Sequence, residues 1–324
     1  MQMAWCVQSW AGGLEPKAAA SDVADVAQRT APHVSSVVHA VGDGGPRTAD
    51  VWGGAPRERV GGADIVRRDG ASWLLPAHGA TRWDPVGLST ALIGLAADPE
   101  RRGRVVVPVG DTAPAGDAAS MWGPSIKAFR HALKPLDMLA LVTADRPLLG
   151  FHGMSAALLE GREGDSALAS AAQAQEERWA GLALEADAVA AVSSLVGPAR
   201  PSDVRGTGAA GGLAYALHVG GARLVPAFRA LVAEPDVART LSQADVAIVV
   251  TPELTPRTLD HGLATAVSAA AAARGIPTVV LCETLHVGKR DLMAAGVDSA
   301  HTAGTGVEGL REGVRRVLQT WARR

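Results

Sequence analysis

The chain runs to 324 residues, of which 48% are hydrophobic and 20% charged, so it can bury a full core and global disorder is excluded. Length alone predicts about two domains or one large α/β unit. Lys+Arg 31 against Asp+Glu 33 leaves a net charge of −2, which removes the basic footprint of a dedicated nucleic-acid binder.

Two cysteines, Cys6 and Cys282, cannot build a disulfide framework and lack zinc-site spacing, so a reducing, cytoplasmic setting is expected. Apolar runs such as residues 266–273 are too short to span a bilayer, and no membrane partner is expected. Residues 1–13 show no charged stretch followed by an apolar one, so no secretory signal is expected. Aromatics are only 4%, so alanine, valine and leucine must fill most of the core.

In chain order, residues 3–8 form a short apolar strand ending in a Gly-containing turn at 9–13. Residues 17–30 follow as a helix, with Val23, Val26 and Ala27 on one face. Residues 34–41 read as a strand running into Gly42-Asp43-Gly44-Gly45. Residues 49–70, rich in Gly and Arg, are expected to cross between domains. Residues 104–109 form a β-branched strand followed by a small-residue loop at 110–120. Residues 197–205, with Pro198 and Pro201, read as a second linker. Residues 246–250 are a further strand, followed by a loop at 251–256 and a helix at 260–274. A strand at 277–281 and a terminal helix at 306–323 complete the series. Apolar strands that end in Gly/Asp/Thr loops and feed helices point to parallel sheets covered on both faces. Ligands bind such sheets at the carboxyl ends of the strands. That places the loops at 9–13, 43–48, 112–117 and 251–258 on the candidate functional edge.

The most conspicuous motif is Gly206-Thr207-Gly208-Ala209-Ala210-Gly211-Gly212, formally a GxGxxG. A dinucleotide fingerprint must directly follow a buried strand, and residues 198–205 are no such strand, so the Rossmann reading fails. Two readings stay open: close helix packing, or backbone N–H groups that cradle an anion at the start of a helix over 211–219. Nothing resembles a GxSxG elbow, an activated cysteine, HExxH or a Walker A loop. His261 beside Asp260 is read as part of a helix cap at the surface.

Several blocks, in order, resemble the type I glycerate kinase family. Residues 206–217, GTGAAGGLAYAL, are similar to the family's GAGAAGGLGxAL, and residues 221–226 to GAxLxPG. Residues 244–251 resemble the start of ADLVITGEGRLDGQT, and residues 41–45 resemble VADGGEGT. Pro147-Leu148-Leu149-Gly150, with Gly153 and Ala156-Ala157, resembles NPLLGxxGAA, and Gly275-Ile276-Pro277 opens the stretch similar to IPVIALAG. The resemblance implies a flavodoxin-like parallel-sheet domain at about residues 1–50 plus 236–324, with a second α/β domain inserted at about 51–235. It implies ATP-dependent phosphoryl transfer to D-glycerate, with Mg²⁺, in a cleft between the two.

The polar loops depart from the family. DSFKGSLS falls on residues 8–15, where Gln8 replaces the aspartate and Ala11 the lysine. GGSATNDGGAG falls on residues 110–120, where Ala115-Gly116 replace the Asn-Asp pair. GEGRLDGQT falls on residues 252–258 and loses its arginine and aspartate, and ADGGEGT loses its glutamate at residues 42–48. Deleting one general base typically costs about 10²–10⁴ in rate. The expectation is therefore a family member with lost or strongly reduced phosphoryl transfer that keeps a binding site for a small anionic molecule. The alternative is an active kinase for D-glycerate or a related hydroxy acid with a rearranged site, using ATP and Mg²⁺. Candidate catalytic groups are Asp43 and Glu253. Candidate substrate or phosphate contacts are Ser9, Thr112, Gly206, Gly208, Gly211, Gly212, Arg257 and Thr258, with Asp117 and Lys17 as further stand-ins. Lys17 is expected to be a surface charge, and no resident metal site is assigned.

Overall fold

A computed structural model of the chain describes residues 1–52, 57–162, 164–191 and 200–322. The chain divides into two compact units: unit 1, Met1–Asp43 with Phe228–Arg324, and unit 2, Gly44–Ala227. It begins in unit 1 with β1 (Gln2–Val7), α1 (Pro16–Thr30) and β2 (Ser35–Ala40). Unit 2 follows with β3 (Glu58–Val60), β4 (Ala63–Arg68), β5 (Ala71–Pro76), α2 (Pro85–Ala97) and β6 (Arg104–Gly110). It continues with α3 (Ile126–Leu133), β7 (Asp137–Val142), α4 (Ser166–Ala190), α5 (Leu213–Val219) and β8 (Arg223–Pro226). The chain resumes unit 1 at Phe228, within α6 (Ala227–Val232), and continues with α7 (Pro235–Gln243), β9 (Val246–Leu254), α8 (Pro256–His261) and α9 (Leu263–Ala272). The last elements are β10 (Thr278–Leu285), α10 (Lys289–Ala294), β11 (Ser299–Thr302) and α11 (Gly306–Trp321).

Among the described residues, the sheet of unit 1 is wholly parallel, in the order β2-β1-β9-β10-β11. Counted along this unit, that is strand order 2-1-3-4-5, the flavodoxin-like arrangement. The central strands are apolar on both faces, as burial under two helical layers requires: Met3 to Val7 and Ala247 to Val250 are fully enclosed. On one face α1 and α11 pack together and bury Val23 and Val26 beside Leu310, Val314 and Leu318. Pro16 begins α1, where its missing N–H costs nothing.

Unit 2 has a mixed sheet in the order β3-β4-β5-β6-β7-β8. Strands β5 to β8 run parallel, and β3-β4-β5 form an antiparallel meander. The purely parallel expectation therefore holds for unit 1 and needs correction for unit 2. Its core is built on Val105, Val107 and Val109 of β6, Leu88, Leu92 and Leu95 of α2, and an edge-on cluster of Trp122, Trp179 and Tyr215.

Four local expectations need correction. The segment expected to cross between domains at 49–70 forms β3 and β4; residues 53–56 of it lie outside the described residues. Gly61 and Gly62 serve packing: a Cβ on Gly62 would lie 2.3 Å from Gly87 Cα, and one on Gly61 2.7 Å from Ala91 N. Of the linker expected at 197–205, residues 197–199 lie outside the described residues, and Pro201 and Ser202 are buried in a 3₁₀ turn. Strand β9 continues through Pro252 and Glu253, where a loop was expected, because β10 still pairs there after the pairing with β1 ends at Val250. The helix expected over 260–274 starts earlier, at a Thr255/Thr258 capping box, and breaks at Gly262 into α8 and α9.

Candidate functional site

In unit 2 the carboxyl ends of β6 and β7 carry the loops that the sequence singles out. Immediately after β6, Asp111 meets Arg146, which follows β7. Arg146 Nη1 donates to Asp111 Oδ2 at 3.0 Å, and Nη2 donates to Oδ1. The Ala210 N–H donates to the same Oδ1 at 3.1 Å. The pair is largely enclosed, with side-chain exposures of 16% for Arg146 and 26% for Asp111. Arg146 Nε is buried with no acceptor among the described residues.

The rest of the loop after β6 is held from several sides. Arg82 Nε donates to Ala113 O and its Nη2 to Pro114 O, both at 2.8 Å. The Ala115 N–H reaches Trp83 O at 2.7 Å. Asp117 caps the next 3₁₀ turn through Ala119 N and pairs with Arg178. The stand-in carboxylate Asp117 is thus spent on structure. Thr112 is exposed, and Ala115 and Gly116 add no ionisable group.

The glycine block packs against the turn that follows β7. The Gly206 N–H donates to Asp145 O at 2.9 Å, Gly208 N–H to Arg146 O at 3.0 Å, Thr207 N–H to Val204 O and Ala209 N–H to Gly206 O. With the Ala210 N–H on Asp111, these five donors have protein acceptors. Thr207 is fully buried: its hydroxyl donates to Val204 O at 2.6 Å and accepts from Leu148 N at 2.9 Å. A Cβ at Gly208 would stand 2.3 Å from Pro147 O, and one at Gly212 would stand 2.5 Å from the Trp179 ring. Gly206, Gly211 and Gly212 also have positive φ, from +62° to +90°, which side chains resist. Of the two readings left open for this block, packing accounts for its geometry. The helix behind it, α5, is short and begins only at Leu213.

Beneath the block lies a buried carboxylate. Asp187 of α4 accepts from Ser202 N at 3.0 Å, Ser202 Oγ at 2.5 Å and Tyr215 OH at 2.8 Å. Burial, followed by the bond to Asp187, pushes the Tyr215 hydroxyl well above its ordinary pKa.

In unit 1 the strand order reverses between β1 and β9, and in such sheets that switch point marks the ligand crevice. The loop after β1 is tight: Trp10 and Leu14 exchange N–H···O bonds of 2.8 and 3.1 Å around Gly12 and Gly13, both at φ above +80°. Ser9 is exposed beside the buried Trp10. Glu253, near the end of β9, and Arg257, on the first turn of α8, are exposed. The Thr258 hydroxyl closes the α8 cap, accepting from Thr255 N at 2.8 Å, so it serves the fold. Asp43 is exposed beyond the end of β2, and Lys17 is exposed on the first turn of α1.

Ser9 on the loop after β1, Glu253 at the carboxyl end of β9, and Arg257 and Thr258 on the first turn of α8 thus flank one switch point, the last three on regular elements where a loop was expected. Thr112 and the glycine block belong to the other unit. The cysteines are unsuited to nucleophilic work: burial pushes the Cys6 thiol up to about 12 and that of Cys282 to about 11. Among the described residues, no three His, Cys, Asp or Glu side chains gather to hold a metal.

The sequence reading missed Asp111, Arg146 and Arg82. Asp111 and Arg146 each adjoin a motif block, but their pairing across 35 positions has no local signature.

A family model described as the glycerate kinase family matches residues 116–322. A search of curated proteins found no match. Among solved structures, the chain is similar to one described as "putative glycerate kinase 2 from Salmonella typhimurium LT2". The TM-score is 0.64 at 16% identity, covering 99% of this chain and 98% of that one.

Proposed function

The chain belongs to the glycerate kinase family, and from that membership we propose a binding module for a small anionic molecule in which phosphoryl transfer from ATP to D-glycerate is lost or strongly reduced. The observation that carries this reading is the loop after β6. Where the family motif reads Asn-Asp it supplies Ala115 and Gly116, and its neighbours are tied down by Arg82, Trp83, Arg146 and Arg178. Phosphoryl transfer depends on charge neutralisation and a group that orients the acceptor hydroxyl. Removing one such group costs about 10²–10⁴ in rate, and Gln8 and Ala11 replace two more. Mg²⁺ would need oxygen ligands beside the phosphates. Asp43, beyond the end of β2, and Glu253, near the end of β9, are exposed carboxylates of unit 1, and among the described residues this donor set does not fit a preformed metal site. Two buried free thiols fit a reducing, cytoplasmic setting for the module.

The second reading is an active kinase, favoured by Ser9, Glu253 and Arg257 beside the unit 1 switch point. ADP production with Mg²⁺-ATP and D-glycerate separates the two. The binding-module reading expects turnover at least about a hundredfold below the roughly 1 s⁻¹ of a slow kinase. Turnover at about 1 s⁻¹ refutes it.

A further inference from the structure

Arg146 directly precedes Pro147-Leu148-Leu149-Gly150, and Asp111 directly follows Gly110. A guanidinium and a carboxylate on two separate loops thus meet as a two-pronged pair. Such a fork matches the planar oxygens of a carboxylate and fixes its orientation. The third donor is the Ala210 N–H, at a residue with φ +51°, a conformation uncommon for alanine. The fourth, Arg146 Nε, is buried with no acceptor among the described residues. This end of unit 2 therefore presents more donors than the single Asp111 carboxylate takes up.

We propose that Arg146 and the Ala210 N–H form a carboxylate-binding subsite in unit 2, and that Asp111 is its built-in occupant, so a free carboxylate binds there only by displacing it. The subsite rests on the binding-module reading and gives its anion a receptor. It fits a compact hydroxy acid better than a bulky ligand, because Arg82 and the Gly208–Pro147 contact hold the surrounding loops in place. In the native chain the tethered Asp111 competes at high effective concentration, which keeps affinity for free carboxylates low.

The test is thermal unfolding of the full chain and of Asp111→Gly and Asp111→Asn, titrated with sodium D-glycerate, inorganic phosphate, or sodium chloride at matched ionic strength. Both variants are expected to melt below the parent. D-glycerate should raise their Tm saturably, at least tenfold more tightly than in the parent, and adding Arg146→Met should abolish the response. An equal response in the parent, no saturable response, a response that survives Arg146→Met, or a response to phosphate alone overturns the proposal. If neither variant folds unaided, refolding yield with D-glycerate becomes the readout, and no gain in yield overturns it. The readout needs no ATP or turnover, so its failure leaves the kinase assay of the preceding section standing on its own.

Discussion

Replacing Gly208 by alanine adds one methyl group in a place with no room for it. The new Cβ would lie 2.3 Å from Pro147 O, 3.0 Å from Pro147 C and 3.1 Å from Arg146 O. The obstacle is backbone, so no rotamer change relieves it. The backbone at Gly208 (φ −77°, ψ −1°) suits alanine, so the contact alone carries the cost. Relief needs about 1 Å of movement in the turn after β7, more than a packed interior absorbs freely. Overpacking of this kind costs about 1–3 kcal/mol. The same shift stretches the Gly206 and Gly208 N–H bonds to Arg146 O, each worth about 1 kcal/mol. A total of about 3–5 kcal/mol follows, lowering the Tm of unit 2 by about 6–20 °C. Ligand-free thermal unfolding followed by tryptophan fluorescence measures it, since Trp122 and Trp179 lie in this core. Gly181→Ala in α4 is the control: a Cβ there meets nothing within 4 Å, and about 0.5–1 kcal/mol of stabilisation is expected. A Gly208→Ala chain that melts within about 2 °C of the parent, on that same per-kilocalorie scale, but has lost anion binding would refute packing as the role of the block.

Two further perturbations probe the scaffold. Asp187→Ala strips the acceptor from Ser202 N, Ser202 Oγ and Tyr215 OH together and should cost about 3–4 kcal/mol, whereas Tyr215→Phe should cost about 1. Urea unfolding checks both, and equal costs would contradict a three-donor node. Burial also lowers the pKa values of His39, His218 and His301 below the ordinary histidine value, outweighing the opposing carboxylate Asp236 at His39 and the Ala222 carbonyl at His218. The unfolded chain then takes up protons first as the solution is acidified. Stability should be complete above about pH 6.5 and fall as the pH drops through the lowered folded values. His218→Asn should flatten the profile between about pH 7 and 5. Stability that rises on acidification across that range would contradict the assignment.

The strands at 3–8, 34–41, 104–109, 246–250 and 277–281 and the helices at 17–30 and 306–323 were legible because burial on both faces or on one stripe writes itself into local apolar patterns. The polar substitutions at Gln8, Ala11, Ala115 and Gly116 were equally legible, since they are matters of residue identity. Strands β3 and β4 were not: they are short and carry Arg59, Arg67 and Arg68, and they exist because Gly62, in the turn between them, can touch Gly87 and because β5 supplies the pairing edge. Chemical type alone left the glycine block with two meanings. Packing prevailed because Pro147 O sits 2.3 Å from where a side chain at Gly208 would begin, and because nearby carbonyls and one carboxylate take its N–H groups. Thr258 had the right chemistry for an anion contact, but the four-residue capping box from Thr255 to Thr258 claims its hydroxyl. Asp111 and Arg146 are each ordinary in their own segments. The sheet brings the ends of β6 and β7 side by side, and only that adjacency turns two scattered charges into one site.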